Sequence, residues 1–147
     1  MLIRTEGAPT NIDLIAFTNR AEELLSILGR GDGELSILLA DDDVIARLNR
    51  EYLGRSGPTN VLSFASGENP PTGLDILGDI VISYDTAARQ ADDRGVSLLD
   101  EMTILLVHGL LHLLGYIHDE REGASNEDRT LMELEETRLL DLYGISL

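Results

Sequence analysis

Apolar residues recur along this chain in two rhythms, every second position and every three to four, and the switches between them mark its elements. Residues 2–6 suit a short strand. Thr10 or Asn11 then caps a helix running to about Leu28, with Ile12, Ile15, Ala16, Leu24 and Leu25 among its apolar positions and Gly29 as its stop. Glu34–Ala40 (ELSILLA) is an aliphatic strand. Asp41–Asp43 follow it and cap a helix in which Val44, Ile45 and Leu48 have helical spacing. Beyond Gly54 the chain is loop-like until a short strand at Val61–Phe64, and GENPPTG at 67–73 is turn-rich because its prolines oppose regular structure. Ile76–Ser83 is a further strand, and Asp85–Arg94 a helix ended by Gly95. Ser97 with Asp100 resembles a capping box ahead of a strongly apolar helix from about Leu98 to Leu114. That helix is apolar nearly all round, which predicts a buried, central position. A last amphipathic helix spans about Asn126–Tyr143, with Leu131, Leu134, Leu139 and Leu142 expected to face inward. The order predicts an α+β fold in one domain over residues 1–147, a small mixed sheet packed against several helices. It does not give the strand order.

Composition changes this picture in three places. The 147 residues include 43% hydrophobic ones, enough for a single core. There is no cysteine, so disulfides, thiolate metal sites and a cysteine nucleophile are excluded. The net charge is −16, from 27 acidic residues against 11 basic ones that are all arginine. Such a surface repels polyanions on average, so non-specific nucleic-acid binding and a DNA partner are not expected, although a local cationic cleft can survive on it. The opening MLIRTEGAPT lacks the apolar run of a signal peptide, and no stretch reaches ~18 uninterrupted apolar residues. A cytoplasmic location without a membrane partner is therefore expected.

The chemistry concentrates in VHGLLHLLGYIHD, residues 107–119. His108 and His112 are four apart, so on a helix they stack on one face and can converge on one ion. Gly115 can adopt the left-handed conformation that ends the helix and returns His118 towards the pair. Three neutral imidazoles suit zinc and leave one tetrahedral position for water, whose pKa the ion lowers from about 15.7 to near 7. These are the chain's only three histidines, and two lie in a helix otherwise filled with leucine. Unpaired imidazoles there would cost free energy that coordination removes. The zinc-protease helix carries a glutamate after its first histidine; here that position is Gly109, which argues against peptide hydrolysis by that route. The nearest acids are Asp119, which would orient a ligand or simply sit in a solvated turn, and Glu120.

Residues 108–118, HGLLHLLGYIH, resemble the signature H-G-x-L-H-L-x-G-Y-D-H of the YbeY family of bacterial rRNA-maturation endoribonucleases. PTNVLSF at 58–64 is similar to the family's P-T-D/N-V-L-S-F, and LGDIVIS at 77–83 and the pair Leu48–Asn49 also match. The blocks cover most of residues 34–118. The resemblance implies an α+β fold, one zinc ion per chain on His108, His112 and His118, and single-strand-specific RNA cleavage. It further implies work on the 3′ end of small-subunit rRNA and in ribosome quality control, with rRNA and the ribosome or ribosomal proteins as partners. By the same resemblance Thr59, Asn60 and Ser63 line the substrate cleft; Asp79 is a candidate to support the site, or else a turn or cap residue beside its strand. Two positions depart from the pattern. Ile117 stands where the family has aspartate, and Leu53 where it has an arginine that contributes to activity; Arg55, two residues on, is the candidate to fill that space.

Arg47, Arg50, Arg89 and Arg94 are candidates for a local cationic patch, or else helix-face arginines in solvent. The reading is a zinc-dependent endoribonuclease. Its alternatives are a metal-dependent hydrolase of another ester or amide, and a catalytically weakened ribosome-assembly factor with a structural metal. The general base, and whether water or the RNA 2′-hydroxyl attacks, stay open at this stage.

Overall fold

A computed structural model describes residues 1–6, 12–66 and 75–147. These form β1 (Leu2–Glu6), α1 (Leu14–Ile27), β2 (Glu34–Ala40), α2 (Asp42–Leu53), β3 (Val61–Ala65), β4 (Ile76–Ser83), α3 (Tyr84–Arg94), α4 (Leu98–Leu113), a single 3-10 turn at Glu120–Glu122, and α5 (Asn126–Asp141). The fold is α+β with one mixed sheet, as the pattern predicts. Its strand order is β1-β2-β4-β3, in which β1, β2 and β4 are parallel and β3 is an antiparallel edge strand.

The helix starts follow from short polar side chains that accept the otherwise orphaned backbone N–H groups. Asp41 caps α2 and Ser83 caps α3. α1 is capped by Asp13; Thr10 and Asn11 lie outside the described residues, as does GENPPTG at 67–73. Ser97 accepts from the Asp100 N–H, but the Asp100 carboxylate turns instead to Arg20, so that box is one-sided. The reciprocal box is at Ser125 and Asp128, opening α5.

Strand alternation sorts the sheet's residues into two cores. Leu35, Ile37 and Leu39 of β2 join Ile80 and Ile82 of β4 on the face covered by α1, α4 and α5. Ala40, Leu62 and Val81 face the other way, against Ile45 of α2. Helix α4 is buried over most of its length, as expected for a central helix. Among the described residues no single helix is long and apolar enough to cross a membrane.

Two details of packing differ from the expectations. Ile15 is 78% exposed, because α1 buries Phe17, Ala21, Leu24 and Leu25 instead. On α5, Leu139 is buried, but Leu131, Leu134 and Leu142 are exposed. The inward face carries Met132, Leu139 and Leu140, and Glu136 shares it at about 100° per residue. A carboxylate on the buried face breaks the apolar stripe from which the phase of an amphipathic helix is read.

Gly78 shapes the edge of the sheet that borders the site. Its φ is +136°, and a Cβ there would fall 2.1 Å from the carbonyl oxygen of Phe64. The β2–β4 pairing slips here: Glu34 pairs with Ile76 but Leu35 pairs with Gly78. Only glycine permits this bulge, which lets β3 approach β4 closely.

Candidate metal centre

The two helical histidines project from α4 towards the edge strand β3, beside the residue that packs on β4. A Cβ on Gly109 would meet the Ile80 side chain at 3.2 Å, so this position packs tightly on β4. The chain carries no glutamate there because that position faces the core. His108 and His112, on the neighbouring face, open into a cleft.

The end of α4 brings in the third histidine. Gly115, at φ +99°, is left-handed; its N–H donates to the His112 carbonyl and the Tyr116 N–H to the Leu111 carbonyl. This paired arrangement is a Schellman turn. It reverses the chain and places His118 with its ring centroid 4.7 Å from His108 and 4.8 Å from His112. One ligand nitrogen from each of the three rings lies within 4.8 Å of the others.

The remaining ring nitrogens set the chemistry. The His112 Nδ1 is 3.0 Å from the Tyr116 carbonyl oxygen, and the His108 Nδ1 is 3.2 Å from Glu136 Oε1. Both partners are acceptors, so both Nδ1 atoms carry hydrogen and both Nε2 atoms carry lone pairs. Those Nε2 atoms face each other at 3.1 Å. Two lone pairs in that position repel unless a cation sits beside them. A proton is disfavoured at His112, where burial, followed by the neighbouring charge of His108 and His118, pushes the pKa below its ordinary value. The donor set thus fits a divalent metal bound by neutral imidazole.

A cleft of about 380 Å³ runs along these rings. Its opposite wall comes from the loop after α2 and from β3: Leu53, Arg55, Thr59, Asn60 and Ser63 all line it. Sequence reasoning placed these residues near the histidines, and the structure brings them together. The loop is pinned by Asn49, whose side chain is buried and donates to the Gly57 carbonyl at 3.0 Å. The Asn60 carbonyl accepts from the Ser83 N–H, which ties the end of the loop to β4.

Other expected residues are elsewhere. Asp79 lies on the sheet face opposite the histidines and lines a groove with Leu38 and Phe64, so it gives the site no support. Arg89 pairs with Asp42, and Arg94 with the buried Glu101, which removes both from a cationic patch. Asp119 lines the cleft, but its carboxylate is held by the Arg121 backbone and side chain. Those bonds, and the nearby charge of Arg55, keep it below the usual carboxylate range. The side chain of Glu120 lies outside the described residues. Ile117 also lines the cleft, as does Glu122, whose charge reaches His112. Glu122 and Glu136 were missed: neither stands in a motif, and both depend on how the chain returns after Gly115.

The model of the family described as Endoribonuclease YbeY matches residues 5–144. The chain belongs to the YbeY endoribonuclease family. It is 41% identical over 142 residues to the Endoribonuclease YbeY of Syntrophus aciditrophicus, covering 95% of this chain and 87% of that one. With the namesake from Aquifex aeolicus it shares 49% identity over 115 residues, 78% of this chain and 74% of the relative. A Thermotoga maritima protein solved in solution superposes with a TM-score of 0.63 at 25% identity, over 98% of this chain and 92% of that one. Membership of this family implies a nuclease hydrolase with RNA as its substrate class.

Proposed function

We propose that this chain is a zinc-dependent, single-strand-specific endoribonuclease of the cytoplasm. Its role in this reading is 3′-end maturation of small-subunit rRNA and ribosome quality control, with the ribosome or ribosomal proteins as partners. The observation that carries the catalytic part is the convergence of His108, His112 and His118 on one wall of a cleft whose other wall holds Arg55, Thr59, Asn60 and Ser63.

In this reading His108, His112 and His118 would hold one zinc ion, which would supply a Lewis acid and a position where water is acidified. The protein does the rest. Arg55 faces the negative charge that gathers on the reacting phosphate. Thr59 and Ser63 offer hydroxyls, and Asn60 an amide, to the sugar–phosphate backbone. Glu122 is the acceptor for the attacking oxygen's proton, since the Asp119 carboxylate is already committed to Arg121. Leu113 and Ile117 supply an apolar border that limits water.

The test is to incubate purified protein with single-stranded RNA and with a peptide panel, each with and without chelator. Cleavage of RNA alone, abolished by chelator and restored by zinc, is expected. Hydrolysis of peptides or simple esters without RNA cleavage would overturn the reading in favour of another metal-dependent hydrolase. One observation favours a second reading, a ribosome-assembly factor with a structural metal. Leu53 presents an apolar side chain to the cleft where the family pattern has arginine. If catalysis has weakened, Leu53→Arg gains cleavage that the wild type lacks; robust wild-type turnover excludes that reading.

A further inference from the structure

We propose that Glu136, on the C-terminal helix, is a positioning residue for the metal centre, fixing the tautomer and the aim of His108. The inference rests on the reading that the three histidines hold a metal.

Glu136 is 28 residues from His108 in sequence, and its Oε1 lies 3.2 Å from the His108 Nδ1. Its side chain is 15% exposed and that of His108 26%, so the contact lies between α5 and α4, shielded from bulk water. Along α5 it shares a face with Met132, Leu139 and Leu140, each at most 1% exposed. A carboxylate placed in that row loses hydration and must recover it from a partner. The adjacent Glu135, itself half-buried, satisfies its carboxylate on its own helix by pairing with Arg138 one turn along. Glu136 instead turns inward to the one ring on α4 within its reach.

The consequence is directional. An ionised carboxylate can only accept, so it draws the imidazole hydrogen to Nδ1 and leaves the lone pair on Nε2, the atom that faces His112. The Tyr116 carbonyl does the same for His112. Among the described residues no hydrogen bond holds the His118 ring in this way. The centre is thus built from two rings locked in advance and a third on a loop. One of the two locks is a side chain from the last helix of the fold, which makes α5 part of the site and explains an acid on its buried face.

Three variants and two readouts test this. Zinc affinity is measured by competition with a chelator, and tautomers by long-range proton–nitrogen NMR of the metal-free protein, whose three histidines give a spectrum simple enough to assign. Glu136→Ala is expected to weaken zinc roughly 10- to 100-fold and to shift His108 towards the Nε2–H tautomer, leaving His112 unchanged. Glu136→Gln, whose amide oxygen still accepts, should keep the Nδ1–H tautomer and lose less affinity. Glu133→Gln, on the exposed face of α5, should change neither. Wild-type zinc affinity with an unchanged His108 tautomer in Glu136→Ala would overturn the inference; if that variant fails to fold, Glu136→Leu, which keeps the bulk and removes both acceptors, takes its place, and the same result there overturns the inference. A separate outcome concerns the reading beneath it: if His112→Ala binds zinc as tightly as wild type, the histidine site itself is wrong. If His112→Ala loses zinc while Glu136→Ala does not, only the role of Glu136 falls.

Discussion

His108 and His112 differ by only about 40° around α4, and the fate of their second nitrogens turns that proximity into a set of donors that could hold a metal ion. The spacing, and the glycine that ends the helix, are visible in the sequence because they are local: four residues apart, then one left-handed residue. The partners of Nδ1 are not local. Tyr116 supplies a backbone carbonyl, which every residue has, and Glu136 arrives through the packing of α5 on α4. Arg55 lies between these cases. Its place in the cleft follows from the loop that Asn49 pins, and the resemblance named it only as a candidate. Replacing Arg55 with alanine should lower kcat/KM for single-stranded RNA roughly 100-fold while zinc content stays at the wild-type level. Steady-state kinetics beside metal analysis checks this; an unchanged kcat/KM would mean that Arg55 does not face the phosphate.

The strands and the central helix follow from their patterns, since the sheet has two distinct faces and α4 is apolar nearly all round. α1 and α5 stand where the pattern puts them, α1 with Leu24 and Leu25 buried, but α5 turns a different face inward than Leu131, Leu134 and Leu142 suggest. Ile15 and three leucines of α5 are exposed, because other residues on those helices fit the available core better and α5 turns an acid inward. The irregularity in β4 at Gly78 was also hidden from pattern reading, since the β2–β4 bulge is one residue long. Gly78 is its hinge, and a Cβ there would strike the Phe64 carbonyl. Gly78→Ala is expected to cost more than about 1 kcal/mol of stability and to move β3, which carries Ser63 into the cleft. Chemical denaturation should show a lower midpoint with a raised KM for RNA. A variant as stable as wild type would show that the strand pair can do without the bulge.

Across the whole molecule, the two sides of the sheet are joined through Asp42. Ser83, Thr86 and Arg89 all donate to its carboxylate, connecting the start of α2 with the end of β4 and the first turn of α3. Burial opposes the charged form of Asp42, but these hydrogen bonds and the Arg89 charge outweigh it, so its pKa lies below the ordinary carboxylate value. A carboxyl depressed in the folded state stabilises the protein above its unfolded pKa of about 4. That contribution is lost as pH falls through the lower folded value. Asp42→Asn should therefore lose about 1 kcal/mol near neutral pH and show a shallower acid limb than wild type below pH ~4. Parallel acid limbs in urea melts taken across that window would contradict this. The same connection steadies the Asn60 carbonyl through the Ser83 N–H, so the network also supports one rim of the cleft. The net charge of −16 repels RNA on average, so in the proposed function attraction falls to local groups such as Arg55 in the cleft. The central claim is that His108, His112 and His118 together hold one metal ion. Its most direct test is the zinc content of purified wild-type protein and of His112→Ala by elemental analysis. One zinc per wild-type chain and close to none in the variant is the predicted result; equal zinc in both would contradict it.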